Sequence, residues 1–354
     1  VDLTGLPDAN VELVGENWAA YGISPLTASP YGLHLASDSL HYEKPFSRID
    51  YSKGPFSADA VRVRFGRALS RRLTTYLNGT FCNSEGQFVN LPYDGHKVSL
   101  QFDYRLTSKS RLRYRHFHSR NEVGVGVPFF PEEWPGITSA FHKEERLYHE
   151  LDGSFRNKIG LRAFVWQVKE ELNDPATQVR HRLRDGGAEL EWREQTARWA
   201  FNFRNRIGLE QIQSWSIENH QRFYNQVSAT AAARFAAKMW LHLSGHYAYK
   251  ADWLAGIALE AKWIAAPTPS LTLWVAGGLG KLPPALGERD NQLPYLSQNE
   301  NLQAADLRRS EVGLHWQRPH VDLKLRVSGS NWPNGFIFQI DSLRNTGFLV
   351  NRSG

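Results

Sequence analysis

One cysteine and one methionine occur among 354 residues. Cys82 therefore has no partner within the chain, which excludes an intrachain disulfide and any cysteine-built metal cluster. No stretch approaches the roughly 18 uninterrupted apolar residues of a membrane-crossing helix. That absence leaves the membrane open, because the strands of a transmembrane barrel are short and only half apolar. No signal-peptide pattern follows Val1, so a mature chain or an internal fragment is expected. Neither Gly-x-Ser-x-Gly nor His-Glu-x-x-His is present, and no enzyme is expected. A basic tract is also missing. The net charge of +6 arises from 42 basic and 36 acidic residues, and the arginines are scattered along the chain, so nucleic acid is not an expected partner. No linker or low-complexity run divides the sequence. With hydrophobic residues at 41% and charged residues at 22%, the chain can bury enough surface to fold, and one large all-β unit is the simplest organisation.

What is present is a repeated alternation. Ala60–Leu69 reads AVRVRFGRAL, with Val61, Val63 and Phe65 opposed to Arg62 and Arg64. His96–Leu106 sets Val98, Leu100, Phe102 and Tyr104 against Ser99, Gln101, Asp103 and Arg105. Trp199–Arg206 and Val321–Ser328 repeat the pattern. Successive side chains of a strand point to opposite faces, so each such segment has one apolar and one charged face. About fourteen segments fit this template. Leu161–Leu172 and the alanine-rich Ala229–Ala237 are ambiguous, the second having helical propensity as well.

The connections alternate in length. Ser70–Arg72, Thr107–Ser110, Asn157–Gly160, Gln195–Arg198, Pro267–Ser270 and Pro319–His320 are short and rich in turn formers. Ser84–Asp94, Asn121–Lys143, Gln213–Phe223 and Leu282–Ala305 are long. Short turns at one end and long loops at the other are the asymmetry of an outer-membrane barrel, with lipid on the apolar face and a wet lumen on the charged one. Trp199, Trp263, Trp274 and Trp316 stand near segment ends, where aromatic girdles would lie.

Leu6–Gly22, LPDANVELVGENWAAYG, resembles the end of the plug domain of the TonB-dependent outer-membrane receptor family, with Val11–Val14 as its strand and Ala19–Gly22 as its closing motif. Gly15–Asn17 stands where that family has Arg-Gly-Pro. Lys44–Ala68 is similar to the plug-to-barrel connection. Leu296–Trp316 resembles the loop before a late barrel strand, with Asn299, Asn301-Leu302 and Arg309–Leu314 in register and Ala304–Asp306 in place of the usual proline. The resemblance implies an all-β, transmembrane, antiparallel up-and-down β-barrel over residues 60–354, preceded by an irregular plug-end segment over residues 1–59. Family barrels have roughly 22 strands, so the visible strands imply either part of such a barrel or a smaller one. Part of a barrel would leave Ala60–Leu69 and the last strand near Gly347–Asn351 unpaired with each other. The implied function is substrate uptake across the bacterial outer membrane. Its implied partners are outer-membrane lipid, an unknown small substrate and, if a TonB box is present, a TonB-type energising protein. A passive porin-like barrel and a soluble all-β carbohydrate-binding or hydrolytic domain remain alternatives.

Candidate chemistry is sparse, and neither cofactor nor catalytic residue is expected. Arg111, Arg113 and Arg115 form a ladder projecting to the lumen. They either attract an anionic ligand or pair structurally with Glu150 and Asp152 on the next strand; the pairing is favoured. His116 and His118 share a strand face but lack a third ligand nearby in sequence. Glu132 and Glu133 beside Trp134 sit too close together to flank a glycosidic bond.

Overall fold

The computed structural model describes residues 44–86, 92–124, 140–174, 177–214, 219–251, 255–282, 299, 301–341 and 346–351, with the backbone of two short strands before them. Those two, β1 (Val11–Gly15) and β2 (His34–Ser37), pair with each other. Seventeen strands follow: β3 (Phe46–Lys53), β4 (Asp59–Ala68), β5 (Leu73–Ser84), β6 (Tyr93–Thr107), β7 (Ser110–Gly124), β8 (Phe141–Phe155), β9 (Ile159–Asp174), β10 (Thr177–Gln195), β11 (Trp199–Ser214), β12 (His220–Ala236), β13 (Met239–Lys250), β14 (Gly256–Thr268), β15 (Leu271–Leu282), β16 (Ala305–Arg318), β17 (Val321–Asn331), β18 (Phe336–Asp341) and β19 (Thr346–Asn351). No helix occurs among the described residues.

β3 to β17 form one 15-stranded sheet in which every neighbour in space is a neighbour in sequence. The expected up-and-down order therefore holds, and both ambiguous segments are strands, β9 and β12. Alanine propensity gives way in β12 because its backbone pairs with β13 from Tyr224 to Ala236. β4 pairs with β3 and β5, and among the described residues β18 and β19 pair only with each other. The sheet begins before the expected boundary at Ala60: Phe46–Lys53 pairs antiparallel with Asp59–Gly66. Only Ile49 and Tyr51 give β3 an apolar face, too little alternation to stand out among its flanking prolines and glycine.

The meander puts the connections at 69–72, 108–109, 156–158, 196–198, 237–238, 269–270 and 319–320 at one end, and the long ones at the other. One connection at the long-loop end is short, between Asp174 and Thr177. At the short-turn end, Arg156 and Asn157 both have positive φ (51° and 56°), and the Lys158 N–H donates to the Phe155 carbonyl at 3.0 Å. This is a type I′ turn, whose twist matches the strands it joins.

Register fixes the faces. Leu77 lies opposite Leu100, Phe102 opposite Tyr114, and Tyr114 opposite Leu151; Val312 lies opposite Val327. These side chains share the outer face, together with Val98, Leu323 and Leu325, while Ser99, Gln101, Asp103, Asp322, Lys324 and Arg326 take the inner one. Burial is inverted relative to a soluble protein. Val165 is 55% exposed, Leu325 52% and Val327 72%, whereas Gln101, Arg113, Glu150 and Glu311 are all at or below 4%. An apolar surface of this extent is unstable against water and stable against lipid tails. Trp192, Trp199, Trp263 and Trp316 stand on this outer face toward the short turns, as girdle residues do. Trp274 departs from that expectation: its partner across the ladder is Gly313, it faces inward, and it is buried.

The chain forms two compact units, the first mainly Ala36–Ala188 with Gly208–Gln221, the second mainly Glu189–Ile207 with Arg222–Gly354.

Candidate functional site on the inner faces of the sheet

In the first unit, period-two alternation sets charged residues of β6 to β9 side by side on the inner face. The Arg113 Nε is 2.6 Å from an Asp103 carboxylate oxygen, and Gln101 donates to the other at 2.5 Å. Arg115 pairs with Glu150 and lies 3.8 Å from Asp152. Arg162, from β9, approaches the same two carboxylates at 3.7 and 4.0 Å, and the Tyr148 hydroxyl donates to Glu150. Arg111, nearer the short turn, is exposed and lies opposite Arg105 and Ser154. The five expected residues thus share one face. Glu150 and Asp152 meet the ladder as expected through Arg115. Arg113 takes a carboxylate from β6, that of Asp103, and has Asp152 as its cross-strand neighbour on β8. Asp50 is held in the same manner between Arg48 at 2.6 Å and Arg64 at 3.0 Å. Guanidinium and carboxylate here largely neutralise each other, and such pairing stiffens a wall that would otherwise repel itself.

In the second unit the inner face is built differently. Arg204 lies 3.4 Å from Glu189 and 3.1 Å from Glu191. A pocket of about 360 Å³ opens beside it, lined by Asn202, Arg204, His242, His246, Glu260 and Lys262 among others. Glu260 is buried; one oxygen is 3.4 Å from the Ser244 hydroxyl, and the other has no hydrogen-bond partner among the described residues. Lys262 sits 5.5 Å above the Trp274 ring, a cation–π contact, and the Trp274 indole N–H donates to Glu311 at 2.6 Å. Gly313 makes room for this arrangement, because a Cβ there would overlap the indole. The sequence reading missed this pocket. Its signal was the alternation of Ile257, Leu259, Ala261 and Trp263 with Glu260 and Lys262, which marks them as inner residues without showing what they meet.

At the long-loop end of this unit two asparagines tie segments together. Asn334 accepts from the Asp306 N–H at 2.5 Å and donates to the Ala304 carbonyl at 3.1 Å. Asn351 accepts from the Gln303 N–H at 2.7 Å and donates to the Gln303 and Asn334 carbonyls, both at 3.0 Å. Trp332 packs against Ala258 and Leu307 beneath them.

His116 and His118 face outward, not into the lumen. His116 lies 3.4 Å from His149, nitrogen to nitrogen, and His118 lies 3.6 Å from Glu145. Among the described residues no group of three or more His, Cys, Asp or Glu is placed to hold a metal ion. Glu132, Glu133 and Trp134 lie outside the described residues.

No protein-family profile matches the chain, and no curated protein sequence is similar to it. Solved structures are similar in fold. The siderophore receptor PirA of Pseudomonas aeruginosa superposes over 97% of this chain and 67% of its own, with a TM-score of 0.74 at 12% identity. The FrpB iron transporter of Neisseria meningitidis covers 96% of this chain and 62% of its own, at 0.73 and 10%. The Serratia marcescens hemophore receptor HasR, in complex with its hemophore HasA and heme, covers 92% and 62%, at 0.72 and 11%. The chain spans about two thirds of the length of these proteins. The fold is that of the TonB-dependent receptor barrels of the bacterial outer membrane.

Proposed function

We propose that this chain, whose fold is that of the TonB-dependent outer-membrane receptors, forms the barrel wall of a receptor that takes up a small iron-carrying complex, a ferric siderophore or haem, in an energised step. The observation that carries the reading is the inverted burial of one continuous meander: apolar side chains meet lipid, and paired charges with a polar pocket line the interior. Solved structures of this fold named as siderophore, iron and hemophore receptors support the cargo class. The arginine ladder of Arg111, Arg113 and Arg115 with Glu150 and Asp152 then acts mainly as wall structure. Arg204, His242, His246 and Lys262 offer the inner cationic and imidazole groups that an anionic iron complex would meet. Residues before Phe46 take the role of the plug end, with β1 and β2 as its strand pair.

The test is uptake of radioactive iron by cells that express the protein and lack their own iron receptors. Iron bound to siderophores or haem should accumulate only while the TonB-type energising protein is active. Accumulation that persists without it would favour a passive channel, and no accumulation of any iron complex would remove the cargo class.

A further inference from the structure

Charges on the inner faces are mostly matched. Asp50, Asp103, Glu150 and Glu191 each have a guanidinium at ion-pair distance. The pocket of about 360 Å³ beside Arg204 departs from that rule. Glu260, which lines it, is only 8% exposed, yet its single hydrogen bond is the 3.4 Å contact with Ser244, and its other oxygen has no partner among the described residues. Two more atoms of lining residues, the Asn202 side-chain oxygen and the His246 Nε2, are buried and equally without a hydrogen-bond partner. Among the described residues Lys262 has neither a hydrogen bond nor a carboxylate at ion-pair distance; its contact is with the Trp274 ring. Register explains the two bare charges. Across from Glu260 stand Ser244 and Gly278, and across from Lys262 stand His242 and Ala276, so neither has an opposite charge as its cross-strand neighbour. The pocket's other charges are engaged. Arg193 and Arg204 hold Glu191 at 2.6 and 3.1 Å, and Glu194 has its own interaction.

We propose that this pocket binds a small zwitterion of the α-amino acid class, with the ligand's ammonium on Glu260 and its carboxylate on Lys262. A buried carboxylate without a partner is costly, and a pocket that gathers several unmet polar atoms is completed by an occupant that supplies what they lack. An anionic iron complex would meet Lys262 and the imidazoles and leave Glu260 bare, so the carboxylate calls for a different occupant. A simple cation on Glu260 would face Lys262 in the same way. A molecule carrying both charges close together satisfies both. The spacing suits it: Glu260 and Lys262 are two positions apart on one strand, roughly 7 Å between their backbones, and Lys262 leans further away toward Trp274. Two charge-assisted hydrogen bonds of about 2.8 Å each leave only a short gap for the ligand, the gap between the ammonium and carboxylate of an α-amino acid. Ala232 and Ala276, the neighbours of His242 and Lys262 across the ladders, leave room beside it for a small side chain. The volume lies within the range of small-molecule sites.

The experiment is isothermal titration calorimetry of the full chain in detergent at neutral pH with four probes: L-alanine, propionate, ethylamine and glycerol. L-Alanine should bind saturably at one site. Propionate lacks the ammonium and ethylamine the carboxylate, so each should bind at least about tenfold more weakly, the loss of one charge-assisted hydrogen bond. Glu260→Gln and Lys262→Gln should each weaken L-alanine by a similar factor. The first change should also narrow the gap between L-alanine and propionate, and the second the gap between L-alanine and ethylamine. Propionate or ethylamine binding the wild type as tightly as L-alanine would make this an anion or a cation site and overturn the proposal. Glycerol binding as tightly would make it a polyol site, with the same consequence. No saturable heat from any probe would mean that water alone fills the pocket, which also ends it. Should a variant fail to assemble, the ranking of the four probes on the wild type decides alone. Binding is measured without iron, so a failure here leaves the reading of the cargo untouched, and failed iron uptake leaves this site standing.

Discussion

The inner wall carried by β6 to β9 and the one carried by β13 to β16 solve the same problem with different means. The first places Arg113, Arg115 and Arg162 against Asp103, Glu150 and Asp152, so that charge is matched across adjacent strands. The second uses small residues, Ala258, Ala276, Gly278 and Gly313, around one tryptophan, and leaves Glu260 and Glu311 with few partners. A wall of matched ions is tolerant of shape and sensitive to charge. A wall of glycine, alanine and indole is the reverse, because its packing depends on where a Cβ is missing.

That contrast can be broken most strongly at Gly313. Gly313→Leu should drive Trp274 out of its place and cost at least about 3 kcal/mol, since backbone and ring must both move. The readout is the temperature at which the barrel loses its compact migration on a detergent gel. Gly313→Leu combined with Trp274→Ala should recover most of the loss; additive damage would show that the indole is not what the glycine accommodates.

The outer face supplies the next effect. Leu325→Arg puts a cation among lipid tails and should cost roughly 2–4 kcal/mol if the site is near mid-membrane. Arg326→Leu, one residue on and facing inward 3.9 Å from Glu311, should cost much less. Assembly yield in membranes measures both, and equal tolerance would argue against lipid on the outer face.

A matched pair of substitutions compares the two walls directly. Glu150→Gln removes the charge shared by Arg115 and Arg162 and should destabilise by about 1–3 kcal/mol. Glu311→Gln keeps an amide oxygen for the Trp274 indole and should change stability by less than about 1 kcal/mol. Thermal unfolding in one detergent provides the comparison. If Glu311→Gln proves the more damaging, the second wall depends on charge after all.

The smallest effect belongs to the outer ion pairs. Exposed pairs contribute little in water, so Lys169→Gln, which breaks the 2.8 Å contact with Glu145, should shift unfolding by less than about 1 kcal/mol in lipid-free detergent. A larger shift there would make that pair structural.

Much of this was legible in the sequence because strand alternation is local. Whether Leu323 and Lys324 face apart follows from the backbone alone, whatever lies beside them, and the short turns and long loops are counted off along the chain. What reads badly from sequence is anything shorter than the pattern or dependent on a neighbour. β3 reads as irregular chain because two apolar residues do not make an alternation. Trp274 reads as a girdle residue because position near a strand end does not say which face it takes when its inner neighbours are alanine and glycine.

By itself the sequence determined the fold class, the up-and-down order and the face of most side chains, since each depends on a period of two repeated many times. Only the tertiary structure decided the partners: that Arg113 holds Asp103 two strand positions from the acidic ladder of β8, that His116 meets His149 on the lipid side, that Gly313 makes room for Trp274, and that Arg120, Lys143 and Lys169 share one face. Those choices depend on register between strands far apart in sequence, and one residue of slip would exchange every one of them.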